Sequence, residues 1–172
     1  MRRFALLCAM AAVLAGCGPS TDALKALAEQ GAIEEDAPVK AAASIVIAAS
    51  PAKVWAVLAN IRDWPKWQPD ITETAIAQDP ALGVPFSWSP GDMSIASRIA
   101  VFEPEKQIGW TGRVYTIRAI HLWRLTPLPD GRTEVATRES MSGWLISFFY
   151  SSPDLLDSQR RWLDHLKQAA EG

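Results

Sequence analysis

The sequence predicts an α+β fold in which a curved antiparallel sheet wraps around a long C-terminal helix. Two observations support this fold class. Six β-rich runs follow one another between residues 71 and 141, and turn residues separate them at short intervals. Residues 153–170 then repeat apolar side chains at helical spacing, with charged side chains on the other side. Such closely spaced strands indicate a meander, which the amphipathic helix closes.

The N-terminus has the order of features that is typical of a bacterial export signal. Residues 1–3 carry two arginines, residues 4–13 are apolar, and Leu14-Ala15-Gly16-Cys17 matches the bacterial lipobox. We therefore expect residues 1–16 to be removed as a signal peptide and Cys17 to carry lipid; an ordinary signal peptide cut near Ala15 is the alternative. Gly18 follows the cysteine where an Asp would resemble an inner-membrane retention signal. This favours the periplasmic side of the outer membrane over the inner membrane.

Export and lipidation limit what the mature chain can do. Cys8 leaves with the signal and Cys17 is blocked by lipid, which excludes a disulfide and any Cys-ligated metal. Loss of two arginines leaves 15 basic against 19 acidic residues, a net charge of −4, so nucleic acid is not an expected partner. No later apolar stretch reaches the roughly 20 residues of a spanning helix. The expected membrane contact is the lipid anchor on Cys17.

Residues 17–38 are predicted to be a flexible tether, and residues 39–172 the folded domain. Residues 21–30 could form a short helix, but its apolar face is mostly alanine and would bury little. A flexible coil of this length would span about 20–25 Å.

The domain begins with a strand at residues 41–48, a run that alternates into Ile45 and Ile47. A short helix starts at Pro51, and two prolines limit residues 62–69 to a broken second helix or turn. The strands of the meander are predicted at 71–78, 84–89, 94–102, 107–114, 117–125 and 133–141.

Period-two alternation assigns the inward face of each strand, if no bulge interrupts it. The arginine-free face of 117–125 contains His121 and Trp123, and the matching face of 133–141 contains Glu139 and Met141. In 94–102 the same rule turns Val101 inward. With aromatic residues of neighbouring elements, the predicted ligand-binding wall comprises Trp88, Ile95, Ser97, Ile99, Trp110, Trp123, Met141 and Trp162.

His121 and Glu139 are the candidate catalytic pair. They lie on consecutive strands joined by a Pro-Asp-Gly turn, so they should approach each other inside the sheet. A carboxylate there would raise the histidine pKa, and the pair could exchange protons with a ligand. The alternative is two core polar groups with satisfied hydrogen bonds. His165 is expected on the solvent side of the last helix.

Other catalytic patterns are missing from the sequence. Two separated histidines give no metal site, and there is no phosphate-binding loop or nucleophile elbow. We therefore expect no metal and no cofactor. Residues 143–150 form an apolar run that is expected to be core or a gate to the interior, in preference to a membrane contact.

Several motifs resemble the START-like (SRPBCC) superfamily of polyketide cyclases, dehydratases and lipid-transfer domains. They are Ser50-Pro51-Ala52-Lys53-Val54-Trp55, Trp64-Pro65-Lys66-Trp67, Phe102-Glu103-Pro104 before Ile108-Gly109-Trp110, His121-Leu122-Trp123-Arg124, and Glu139. The resemblance covers residues 39–170 and rests on the order and spacing of these motifs. It implies a helix-grip fold with a cavity between the sheet and the C-terminal helix.

Three functions follow from these features. The first is a membrane-tethered domain that binds a hydrophobic small molecule or lipid, and the second is a cyclase- or dehydratase-type enzyme using His121 and Glu139. The third is an envelope interaction protein whose interior is filled by its own tryptophans, of which the chain has eight. Binding is favoured, because the anchor is at odds with intracellular polyketide chemistry.

Overall fold

The computed structural model describes residues 20–144 and 146–172, so the predicted signal peptide and Cys17 lie outside the described residues. The first half contains α1 (Thr21–Glu29), β1 (Val39–Ile47), α2 (Pro51–Leu58), a 3-10 turn (Ile61–Asp63) and α3 (Trp64–Trp67). The second half contains β2 (Ile71–Ile76), β3 (Pro85–Pro90), β4 (Ile95–Glu103), β5 (Gln107–Val114), β6 (Ile117–Pro127), β7 (Thr133–Ser142), α4 (Ile146–Phe149) and α5 (Ser152–Glu171).

The described strands form one antiparallel sheet in the order β1-β7-β6-β5-β4-β3-β2. β2 to β7 form the predicted meander, and β1 joins its β7 edge. Ser50 and Ser151 cap α2 and α5, each followed by a proline in the first turn. Helix α5 packs on the inner face, where Trp162, Leu163 and Leu166 are buried. The predicted α+β helix-grip fold is confirmed.

Residues 20–38 are not a flexible tether, and this expectation is corrected. The side chain of Ser20 caps α1, whose Leu24 and Ala28 are buried on the outer face of the sheet. Their apolar partners there are Ile33, Ala100, Val101, Ile120 and Leu122. The alanine-rich face of the helix is effective because small side chains allow it to lie close to this apolar patch.

Val101 faces outward, against the sequence prediction. A bulge between Ile99 and Val101 shifts the pairing of β4 with β5 and reverses the alternation beyond it. Val101 therefore packs in the cluster under α1, while Phe102 turns inward and contacts the ring of Trp55.

The described helices include none that is long and apolar enough to cross a bilayer.

Candidate functional site

His121 and Glu139 lie directly opposite each other on β6 and β7, as predicted. His121 Nδ1 is 3.6 Å from Glu139 Oε2, and both side chains are almost completely buried. Gln159 of α5 completes the cluster, because its amide nitrogen donates a hydrogen bond of 2.6 Å to Glu139 Oε2. The same nitrogen lies 3.2 Å from His121 Nε2, and the Thr137 hydroxyl lies 2.9 Å from that atom.

These contacts determine the tautomer of the imidazole. An amide nitrogen donates hydrogen bonds and does not accept them, so the orientation of the Gln159 amide assigns His121 Nε2 as the acceptor and the ring proton to Nδ1. Nδ1 and the Gln159 carbonyl oxygen have no hydrogen-bond partner among the described residues. The cluster therefore offers one donor and one acceptor, both buried, for a group that the protein does not supply.

The pKa values of the pair shift in opposite directions and exchange their order, and the shift of the histidine is against the sequence prediction. Burial lowers the pKa of His121 to about 3. Burial also raises the pKa of Glu139 to about 8, with the Gln159 hydrogen bond opposing part of the rise. Both groups are therefore mainly uncharged at neutral pH. The expected increase in the histidine pKa does not occur because a protonated Glu139 offers no counter-charge.

Aromatic rings surround this cluster. The imidazole lies 4.8 Å from Trp110 and 5.1 Å from Trp123, centroid to centroid, and Trp162 of α5 lies 5.8 Å from Trp123. Trp64 of α3 contacts both Trp110 and Trp162. Trp88 also contacts Trp64 and Trp162, so four predicted wall residues belong to one group of rings, and indole rings fill this central part of the interior.

The other four predicted wall residues are not aromatic. Ile99 belongs to the same core, Ser97 accepts a hydrogen bond from the Trp88 indole, and Ile95 is half-buried near the start of β4. Met141 is half-buried in a separate cluster beside α4, together with Val39, Ala41, Ile117, Ile146, Tyr150 and Leu155. Met141 therefore lies in a different cluster from Trp88, Ile99, Trp110, Trp123 and Trp162, which share one core.

Sequence reasoning did not identify three residues of the site. Gln159 had a visible signal, because it is a polar residue within the apolar stripe of α5. Thr137 shares the inward face of β7 with Glu139. The pKa of the half-buried Tyr150 is raised mainly by burial and also by the charge of Glu139, which places this residue near the cluster.

His165 is not simply solvated, and that expectation is corrected. Its Nδ1 lies 2.8 Å from the side-chain oxygen of the buried Gln68, so it links α5 to the residue that follows α3. The described residues contain no group of three or more His, Cys, Asp or Glu side chains that could hold a metal ion.

A surface depression of about 740 Å³ lies along β2, β3 and β4. Of the predicted wall residues, Ser97 lines it, and Arg62 is its one titratable group among the described residues. The depression is wide open to solvent, so it cannot desolvate a ligand as the interior can. The His121 cluster is the better candidate site.

Comparisons with known proteins agree with the fold. The sequence profile of the family described as polyketide cyclase/dehydrase and lipid transport matches residues 38–171. No curated protein shows significant sequence similarity to the chain.

Several solved structures share the fold at low sequence identity. A hypothetical protein of Helicobacter pylori has a TM-score of 0.71 and 18% identity, over 79% of this chain and 90% of that one. A START superfamily protein of Mycobacterium smegmatis has a TM-score of 0.60 and 15% identity, over 77% and 94%. The Zhui aromatase/cyclase of Streptomyces sp. R1128 has a TM-score of 0.59 and 16% identity, over 77% and 93%.

Proposed function

Because this chain belongs to the polyketide cyclase/dehydrase and lipid transport family, we propose that it binds a hydrophobic small molecule or lipid beside His121, Glu139 and Gln159. We place the protein in the cell envelope, attached through lipid on Cys17 to the periplasmic side of the outer membrane.

The observation that carries this proposal is the pair of unpartnered polar atoms inside an apolar interior. A buried group without a hydrogen-bond partner costs about 1–3 kcal/mol. A hydroxyl or carbonyl group of a ligand would accept from His121 Nδ1, and a hydroxyl could also donate to the Gln159 carbonyl oxygen. Both host groups and Glu139 are uncharged at neutral pH, which suits a neutral polar group and disfavours a free ion.

The apolar body of the ligand would lie toward α4. Ala41, Ile117, Met141 and Tyr150 are half-buried there, whereas the tryptophans on the other side of His121 are closely packed. Half-buried apolar side chains gain most from a ligand that removes their remaining surface from water.

Because α1 is folded, the tether between Cys17 and the domain is shorter than the sequence predicted. Three residue steps separate Cys17 from Ser20, the cap of α1, and an extended chain of that length spans about 10 Å. A lipid on Cys17 would therefore hold the domain directly at the membrane surface, where hydrophobic ligands are concentrated.

The test compares the two histidines. The full-length protein, expressed with its own leader and purified in detergent, is extracted and its bound compounds are identified by mass spectrometry. We expect a stoichiometric apolar compound, at least tenfold depleted in His121→Phe and retained in His165→Phe, with folding checked by circular dichroism. An empty wild-type protein that also binds no added apolar compound would contradict the proposal, and would favour an interaction protein filled by its own tryptophans.

A second candidate is a cyclase- or dehydratase-type enzyme without cofactor. It is favoured by Glu139, which holds a proton at neutral pH and lies 3.6 Å from the imidazole, so that it could donate this proton to a ligand. Complementation of a deletion strain separates the two functions. If His121→Ala and Glu139→Ala proteins that still carry ligand fail to complement, an enzymatic role is supported; full complementation excludes the pair as catalysts.

A further inference from the structure

Five large hydrophobic side chains of the described residues are exposed at the same end of the sheet. Tyr115 lies in the β5–β6 turn, Met93 in the β3–β4 turn, and Trp144, Phe148 and Phe149 after β7; their exposed fractions are 86, 40, 77, 81 and 81%. Because the strands are antiparallel, these three connections project from one end. Leu82, 64% exposed, lies in the β2–β3 loop at the other end.

The chain segments that carry Tyr115 and Trp144 approach each other closely. Gly143, which links β7 to the aromatic segment, lies so close to the β5–β6 turn that an added Cβ would be 2.5 Å from the Thr116 carbonyl oxygen. Trp144 therefore follows a backbone that rests against the residue after Tyr115. Large apolar side chains clustered in this way are typical of a contact surface, whereas single exposed residues are not.

We propose that this apolar end, defined by Tyr115, Trp144, Phe148 and Phe149, inserts into the lipid–water interface of the membrane that holds the protein. The inference rests on the proposed attachment through Cys17. About 10 Å of chain between Cys17 and α1 confines the domain to the bilayer surface. Tryptophan and tyrosine are the side chains enriched at membrane interfaces, and phenylalanine is typical of interfacial anchors.

Charge next to the apolar end fits the same partner. Arg113 and Arg118 lie directly opposite each other across β5 and β6, within three residues of Tyr115. Alternation places both on the outer face, since Trp110 and His121 face inward. The exposed guanidinium group of Arg113 beside an aromatic surface suits the phosphates of anionic lipids.

Membrane insertion would also connect the bilayer to the interior. Tyr150 directly follows Phe149, is half-buried, and lies close enough to Glu139 that an ionised Glu139 contributes to raising the Tyr150 pKa. Ile146, at the start of α4, is buried in the same cluster as Met141. A ligand leaving the membrane at α4 would therefore pass the half-buried apolar residues that lead to the polar cluster.

The test uses a chain that begins at Gly18, which contains every described element and lacks both natural cysteines. A single cysteine is introduced as Phe148→Cys or, as the matched control, Leu82→Cys, and labelled with an environment-sensitive fluorophore. Vesicles contain phosphatidylethanolamine with phosphatidylglycerol as the anionic lipid. We expect a blue-shifted, brighter emission from the Phe148→Cys label on vesicle addition, and an unchanged spectrum from the Leu82→Cys label.

Co-sedimentation with the same vesicles gives an independent readout. The Phe148→Ser/Phe149→Ser protein should bind at least tenfold more weakly than wild type, and Leu82→Ser should bind like wild type. Equal fluorescence responses of the two labels would overturn the proposal, and so would equal vesicle binding by the wild-type and doubly substituted proteins. So would a wild-type dimer in gel filtration that the double substitution dissociates, since the occupant would then be a second copy. Bound compounds are measured in the same preparations, so a failure of insertion remains distinct from a failure of ligand binding.

Discussion

Replacing Glu139 with Gln should change how the stability of the protein depends on pH. Burial raises the pKa of Glu139 from 4.5 to about 8, so between these values the folded protein keeps a proton that the unfolded chain releases. The folded state then binds more protons than the unfolded state, and the free energy of unfolding falls as pH rises. Below pH 4.5 this contribution is fully present, and above pH 8 it is lost.

The cleanest interval lies between pH 6.5 and 8. His121 has a pKa of about 3 when folded and 6.5 as its ordinary value, so it raises stability with pH only below 6.5. Between pH 4.5 and 6.5 the two groups oppose each other. Above 6.5 only Glu139 of this pair still acts, and at about 1.4 kcal/mol per pH unit the wild-type protein should lose roughly 2 kcal/mol by pH 8.

Urea unfolding at several pH values, monitored by tryptophan fluorescence, measures this loss. The Glu139→Gln protein should lack it, and Glu134→Gln, an exposed position on the same strand, should follow the wild type. If the difference between wild type and Glu139→Gln changes by less than about 0.5 kcal/mol across the interval, Glu139 is not held neutral by burial. The uncharged polar cluster would then be the wrong description of the site.

Three further expectations concern packing, all measured by urea unfolding. Leu24→Ala should destabilise the protein by about 2–5 kcal/mol because α1 buries this side chain on the sheet, whereas the exposed Lys25→Ala should change the stability little. Equal effects of the two substitutions would indicate that residues 20–38 are a flexible tether after all. Gln159→Met should lower the free energy of unfolding by about 1–3 kcal/mol, because Glu139 and His121 lose their hydrogen-bond donor. An unchanged urea midpoint would show that Gln159 does not donate to these two residues. Gly143→Ala should destabilise more than Gly91→Ala: both have positive φ, but an added Cβ meets backbone only at Gly143. A smaller effect at Gly143 would contradict the close contact with the β5–β6 turn.

The pattern of nearby residues along the chain was sufficient to predict most of the architecture. Strand alternation, turn residues and the helical repeat of α5 are local properties, and they predicted every strand of the sheet and the helix that covers it. The same alternation brought His121 and Glu139 together, because two strands joined by a short turn have little freedom in their register. It failed at Val101, where one bulged residue reverses the two faces and leaves no clear mark in the sequence.

The site was predicted less completely than the fold. A local pattern can place Gln159 on the apolar side of α5, but its contact with Glu139 depends on how the helix crosses the sheet. The pKa values depend on the same packing, since burial by α5 and the tryptophans outweighs the attraction that a charged pair would have had in water.

The two ends of the polypeptide show most clearly which features can be predicted from the sequence and which depend on the tertiary structure. The sequence by itself determined the fold, and it predicts the export signal and the lipid attachment at Cys17, because these features depend on residues that are neighbours along the chain. Only the tertiary structure decided that residues 20–38 fold onto the outer face, that burial keeps His121 and Glu139 uncharged, and that Trp144, Phe148 and Phe149 after β7 are exposed. Each of these depends on which distant surfaces meet and exclude water, and spacing along one segment does not contain that information.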